Sequence, residues 1–179
     1  MKITLVLHNI RSTYNVGAIL RTAEGFGVTE VVLSGYTPWY EKPGLLPHLA
    51  MKLEHQITKT AVGADKMVKT AYIDNILEFL ASRKAAGAIL AGLENNISDN
   101  RLVRLSEARE ALKRVLEGRK SGSSRGETEV VLVLGEEVEG IPTEVLEKLD
   151  ALFEIPMKGQ KESFNVSVAT GIALYELNR

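Results

Sequence analysis

Cysteine is missing altogether from the 179 residues, which removes disulfides, zinc ribbons and thiol catalysis and suits a reducing compartment. Neither sign of charge is in excess, since the formal net charge is −1. A chain so balanced is not one that coats nucleic acid indiscriminately, although a local basic patch stays open to it. No apolar run is long enough to cross a bilayer, and Met1-Lys2-Ile3 leads straight into a strand-like pattern with no signal-peptide organisation. His8, His48 and His55 lack metal-ligand spacing, so they read as ordinary residues and no metal is expected. No Ser/His/Asp order, no G-x-G-x-x-G after a strand and no internal repeat can be read. The expectation is a soluble, cytoplasmic protein without membrane or metal partners.

Apolar material is plentiful, at 45% of residues, enough for one domain over 1–179 with a sizeable core. Ile3-Thr4-Leu5-Val6-Leu7-His8 and Val130-Val131-Leu132-Val133-Leu134 read as strands buried on both faces. Further strands are predicted at 30–34, 68–73, 88–93 and 152–155. Helical spacing runs through 16–25, 74–86 (with Asp74 as cap) and 105–116, and a short helix fits 142–149. The Pro-, Gly- and aromatic-rich segment 35–48 reads as an ordered loop of the kind that serves a site, whereas 52–67 has no clear assignment. The stretch 95–127 reads as a variable insertion, and its Gly/Ser/Arg/Lys part, 118–126, as a flexible basic loop. Strands alternating with helices predict an α/β fold: a mostly parallel sheet with helices on both faces, and ligands beyond the carboxyl ends of the strands.

The last strand and helix organise the rest. Val166, Ala169, Ala173 and Leu177 recur on one helical face, and Val168, Ile172 and Tyr175 on the opposite one. A helix apolar on both flanks needs two covers: the sheet of its own subunit and the identical helix of a second copy. Ser163 and Asn165 stand at its mouth, where short polar side chains cap backbone N–H groups; a role limited to capping stays open.

Gly135-Glu136-Glu137-Val138-Glu139-Gly140 follows the clearest strand, where a ligand loop lies. Its glycines have phosphate-loop spacing, but Ile141-Pro142 stands where Lys and Ser/Thr are needed, and the three carboxylates repel phosphate. A neutral or cationic ligand such as a sulfonium suits it better; a solvated surface turn is the alternative. Arg21 sits in an otherwise apolar helix above Gly17 and Ala18, over which its guanidinium can lie toward Asn15. An ordinary solvated charge is the alternative there.

Taken together, three ordered segments closely resemble the motifs of the SpoU/TrmH family of RNA ribose 2′-O-methyltransferases. They are Asn15-Val16-Gly17 with Arg21-Thr22-Ala23, then Gly135 with Glu137 and Gly140, then Ile155-Pro156-Met157 with Ser163-Phe164-Asn165-Val166-Ser167-Val168-Ala169. The resemblance implies a sheet closed by a C-terminal deep trefoil knot, a homodimer, S-adenosyl-L-methionine as methyl donor, and tRNA or rRNA as substrate. It assigns Asn15, Arg21, Glu137, Ser163 and Asn165 to the catalytic and structural polar positions. The cofactor cradle falls to Leu134, Gly135, Gly140, Ile155, Met157, Ser163 and Phe164. Glu136 departs from the family, standing where Ser or Asn is common, and Phe164 replaces the usual Leu. Family accounts cast Arg21 as a general base; because guanidinium hardly loses a proton, Arg21 is expected instead to hold the adjacent phosphate and stabilise the incipient alkoxide, with deprotonation as the alternative.

Family members often carry an additional N-terminal RNA-binding domain, and none is expected here. RNA contacts are therefore expected from Arg11 beside the site and from Arg119, Lys120 and Arg125 in the 118–126 loop, with a merely solvated loop as the alternative. The competing function is a catalytically inactive knotted dimer that keeps RNA or cofactor affinity; retention of all five polar positions speaks against it. A nucleotide-binding α/β module fails for want of a phosphate loop.

Overall fold

Apolar runs form seven strands in the computed structural model, which describes residues 1–95, 97–119 and 127–179. They are β1 (Lys2–His8), β2 (Glu30–Ser34), β3 (Thr70–Ile73), β4 (Ile89–Leu93), β5 (Leu102–Arg104), β6 (Glu129–Leu134) and β7 (Ala151–Glu154). One sheet results, in the order β3-β2-β1-β6-β4-β7-β5, with all pairings between these seven strands parallel. The helices are α1 (Thr13–Gly25), α2 (Pro47–Ala61), α3 (Ile76–Ala85), α4 (Ala108–Gly118), α5 (Thr143–Leu146) and α6 (Val166–Asn178).

Because strand side chains alternate, each central strand feeds two cores. Leu5, Leu7, Leu33, Leu132 and Phe153 point to the side of α1, α2, α4 and α6. Val6, Val32, Val131, Val133 and Leu152 point the other way, onto Ile76 and Leu80 of α3 and onto Val145 and Leu149. This is the parallel, two-faced α/β sheet expected.

Several local expectations shift. Asn75, not Asp74, caps α3, accepting from the Glu78 N–H at 3.1 Å. The unassigned 52–67 segment is mostly α2, whose start hides in the Pro-rich loop because Pro47 serves as a first-turn residue. The preceding loop is anchored by buried Trp39 and Tyr40, rings 4.2 Å apart. Within 95–127 lie β5, which extends the sheet edge beyond β7, and α4, whose Ala108, Ala111 and Leu112 are buried. A strand as short as Leu102-Val103-Arg104 carries no readable period.

Two features position the site. α2 crosses α1 so closely at Gly17 that a Cβ there would lie 2.2 Å from Thr60 Oγ1 and 2.3 Å from the Ile57 carbonyl oxygen. And β7 slots between β4 and β5, two strands already joined to each other in sequence, before the chain returns in α6 to pack beside α1.

Candidate functional site

The carboxyl ends of β4, β6 and β7 open into a cleft of ≈ 190 Å³. Three loops build it, and Glu94 and Asn95, directly after β4, stitch them together. Glu94 Oε2 accepts from the Ile141 N–H at 2.8 Å and Oε1 from the Asn95 N–H at 3.0 Å. Asn95 behaves like a short strand: its Oδ1 accepts from the Ile155 N–H at 3.1 Å, and its Nδ2 donates to the carbonyls of Ile155 at 2.9 Å and Glu162 at 3.3 Å. Sequence reasoning missed both residues, although their place just beyond a strand's carboxyl end was a usable signal.

Loop 135–140 folds back on itself, the Gly140 N–H donating to the Glu136 carbonyl at 3.1 Å. A Cβ on Gly135 would lie 2.3 Å from the Gly140 carbonyl carbon, and Gly140 holds φ +69°. Both positions therefore require glycine. The cleft walls are Leu93, Leu134, Ile155, Phe164 and Val166 together with the carboxylates Glu94, Glu136, Glu137 and Glu162, and no Lys, Arg or His is among the described lining. Such a surface favours a ligand with a positive charge and an apolar body.

Beside the cleft, three side chains far apart in sequence form a hydrogen-bonded chain. Asn15 Nδ2 donates to Glu137 Oε1 at 2.7 Å, and Asn165 Nδ2 donates to Asn15 Oδ1 at 3.2 Å. Asn165 Oδ1 accepts from the Ser167 N–H at 2.9 Å and from the Ser167 hydroxyl at 2.7 Å, so it caps α6 and joins the chain at once. Asn15 is placed by its own helix start, its N–H bonded to Ser12 Oγ at 3.3 Å.

A model of the SpoU rRNA Methylase family matches residues 2–175. The chain belongs to that family. It is 31% identical over 177 residues, 99% of its length, to the 23S rRNA (guanosine-2′-O-)-methyltransferase RlmB of Xanthomonas axonopodis pv. citri. It spans 58% of that protein, and 57% of the Coxiella burnetii RlmB, to which it is 30% identical over 175 residues. Among solved structures, the A. aeolicus TrmH/SpoU tRNA modifying enzyme superposes with a TM-score of 0.72 at 25% identity, covering 99% of this chain and 74% of that one. The AdoMet-bound rRNA methyltransferase of Sinorhizobium meliloti shares the fold, with a TM-score of 0.72 at 23% identity over 98% of this chain and 55% of that one.

Of the five polar residues expected at the site, Asn15, Glu137 and Asn165 touch in the chain described, and Ser163 lines the adjoining cleft. Leu134, Gly135, Gly140, Ile155 and Phe164 line it too, while Met157 sits half-buried in the same loop outside the lining. Arg21 stands apart: exposed on α1, it makes no hydrogen bond or ion pair with any described residue.

Arg11 is largely exposed and pairs with the nearly buried Glu136 at 2.8 Å, its guanidinium 5.8 Å from the Tyr36 ring centre. The Tyr36 hydroxyl, and then the Glu136 charge, hold its pKa above the ordinary arginine value. Arg119 is not a free cation on a flexible loop. It donates to the carbonyls of Gly87 at 2.9 Å and Ala88 at 3.0 Å and pairs with Asp150 at 2.9 Å, at the amino-terminal end of β4, opposite the cleft. Lys120 and Arg125 lie outside the described residues.

Proposed function

We propose that this chain transfers a methyl group from S-adenosyl-L-methionine to a ribose 2′-OH of tRNA or rRNA, acting in the cytoplasm as a knotted homodimer. The observation that carries the reading is the Glu137–Asn15–Asn165 chain at the lip of an acidic, glycine-cradled cleft. When bound, the cofactor supplies a methyl group made electrophilic by its sulfonium. Gly135 and Gly140 let the 135–140 loop close on itself and so set the backbone that would face it, Leu134, Ile155 and Phe164 would cover its apolar parts, and Glu137 would favour its positive charge.

The ribose hydroxyl marks RNA apart from DNA, and it becomes a useful nucleophile only when its proton leaves or its developing charge is stabilised. The protein's contribution is alignment and electrostatics. Asn15 and Asn165 position the ribose, with Glu137 fixing the orientation of the Asn15 amide. Arg21, uncommitted to any described partner, holds the adjacent phosphate and stabilises the incipient alkoxide.

The dimer reading rests on α6. Its inner face is buried through Ala173, Leu174 and Leu177, while Val168 is 49% and Tyr175 59% exposed on the other. A second copy laid on that face removes this apolar area from water. Insertion of β7 between β4 and β5 supports reading the C-terminal segment as the trefoil knot.

The test is a transfer assay with methyl-labelled donor and bulk tRNA or rRNA. Label should enter RNA in proportion to enzyme. A protein that binds the donor in a calorimeter but transfers no label, even at stoichiometric concentration, is a binding dimer and not this enzyme.

A further inference from the structure

With Arg119 committed to Asp150, RNA needs another cationic surface, because the whole chain carries a net charge of −1. Helix α2 supplies one. His48, Lys52, His55 and Lys59 recur at intervals of four, three and four residues. At helical pitch this sets them within about 60° of a single face and spreads them over about 16 Å. All four are exposed, and none bonds or pairs with a described residue. The only acid in α2, Glu54, is turned about 120° from that face and is bound to Lys66 at 2.8 Å. The row thus presents two ammonium groups and two imidazoles with no anion among them.

Its carboxyl end leads to the site. The Thr60 hydroxyl, next to Lys59, donates to the Tyr14 carbonyl at 2.9 Å, and α2 crosses α1 at Gly17, two residues beyond Asn15. Tyr14 itself is 52% exposed at this junction.

We propose that this face of α2 is a phosphate-docking track that leads an RNA strand to the Asn15 end of the cleft, with Tyr14 at the junction. Lysine ammonium and imidazole N–H groups donate to phosphate oxygens and fix register without reading sequence. An exposed tyrosine beside them offers a stacking face to an unpaired base. The proposal rests on the methyltransferase reading above.

The experiment compares wild type, Lys52→Gln/Lys59→Gln, and a control that removes the same charge elsewhere, Lys2→Gln/Lys113→Gln. Each is titrated with a transcribed tRNA and a transcribed rRNA stem-loop from 50 to 300 mM salt, after thermal melts have shown equal folding. Loss of two phosphate contacts should weaken RNA binding roughly tenfold or more near 0.1 M salt and flatten the log–log salt dependence by about 1.4 to 1.8. The KM for RNA should rise with kcat and cofactor affinity retained, and the control should behave as wild type.

If the α2 variant binds like wild type, or the control loses as much, the track is wrong while the enzyme reading stands. A wild-type protein that binds these RNAs and methylates none overturns the enzyme reading and this track with it.

Discussion

Replacing Asn165 by Asp separates two tasks that one side chain performs. Its Oδ1 accepts from the Ser167 N–H and hydroxyl at 2.9 and 2.7 Å, and its Nδ2 donates to Asn15 at 3.2 Å. A carboxylate keeps both accepted bonds and adds a negative charge at the amino end of α6, which stabilises by about 0.3–1 kcal/mol. In a chain of this size that gain offsets part of the hydrogen bond lost to Asn15, so Tm should fall less than in Asn165→Ala. Aspartate cannot donate, however. Asn15 is then caught between two acceptors, and flipping its amide only moves the mismatch from residue 165 to Glu137. One lost hydrogen bond and one acceptor facing another cost about 1.5 kcal/mol or more in holding the Asn15 amide, which lowers methyl transfer by about tenfold or more. Asn165→Ala removes the cap as well, at about 1 kcal/mol, and should drop Tm by about 2 to 4 °C. Calorimetric melts and single-turnover transfer on the two variants read these effects separately. Wild-type turnover in Asn165→Asp would refute the positioning role of the amide chain, and a wild-type Tm in Asn165→Ala would refute the cap.

Gly135→Ala should raise the dissociation constant for S-adenosyl-L-methionine at least tenfold by titration calorimetry, because its Cβ would sit 2.3 Å from backbone that cannot yield; unchanged affinity would move the cradle elsewhere. Arg21→Ala touches no described partner, so stability should stay within about 0.5 kcal/mol. Transfer should nonetheless fall by about 100-fold or more with cofactor affinity intact, the size expected when a charge-stabilising group is lost; wild-type turnover would contradict the assignment. Val168→Glu with Tyr175→Glu places charge on the open face of α6 and should convert a dimer to a monomer in sedimentation velocity. A wild-type protein that sediments as a monomer would remove the dimer from the account.

The central sheet could be read directly because a parallel strand covered on both faces leaves a continuous apolar run, as in Val130 to Leu134. The inner face of α6 was legible by the same logic, with Ala173 and Leu177 buried; of the opposite face Val168 and Tyr175 are exposed while Ile172 packs against the core. β5 was not, since three residues ending in arginine have no period. Composition misled at Arg119: its Gly/Ser/Lys neighbourhood reads as mobile, but Asp150, 31 residues away, captures it. The roles of Glu94 and Asn95 come from bonds to Ile141 and Ile155, 47 and 60 residues distant, and no local pattern encodes those. The same holds for the polar chain, in which Asn15 meets Asn165 across 150 residues. Only the ordered motifs, taken as a set, brought these residues together before the fold did.

Whether the methyl group reaches the ribose decides the account. RNA incubated with the protein and isotopically labelled S-adenosyl-L-methionine is digested to nucleosides and separated by mass spectrometry. The account predicts labelled 2′-O-methylnucleosides whose label sits on the sugar fragment and falls by about 100-fold or more with Arg21→Ala. Label found on the bases, or none on any nucleoside at saturating cofactor, would contradict it.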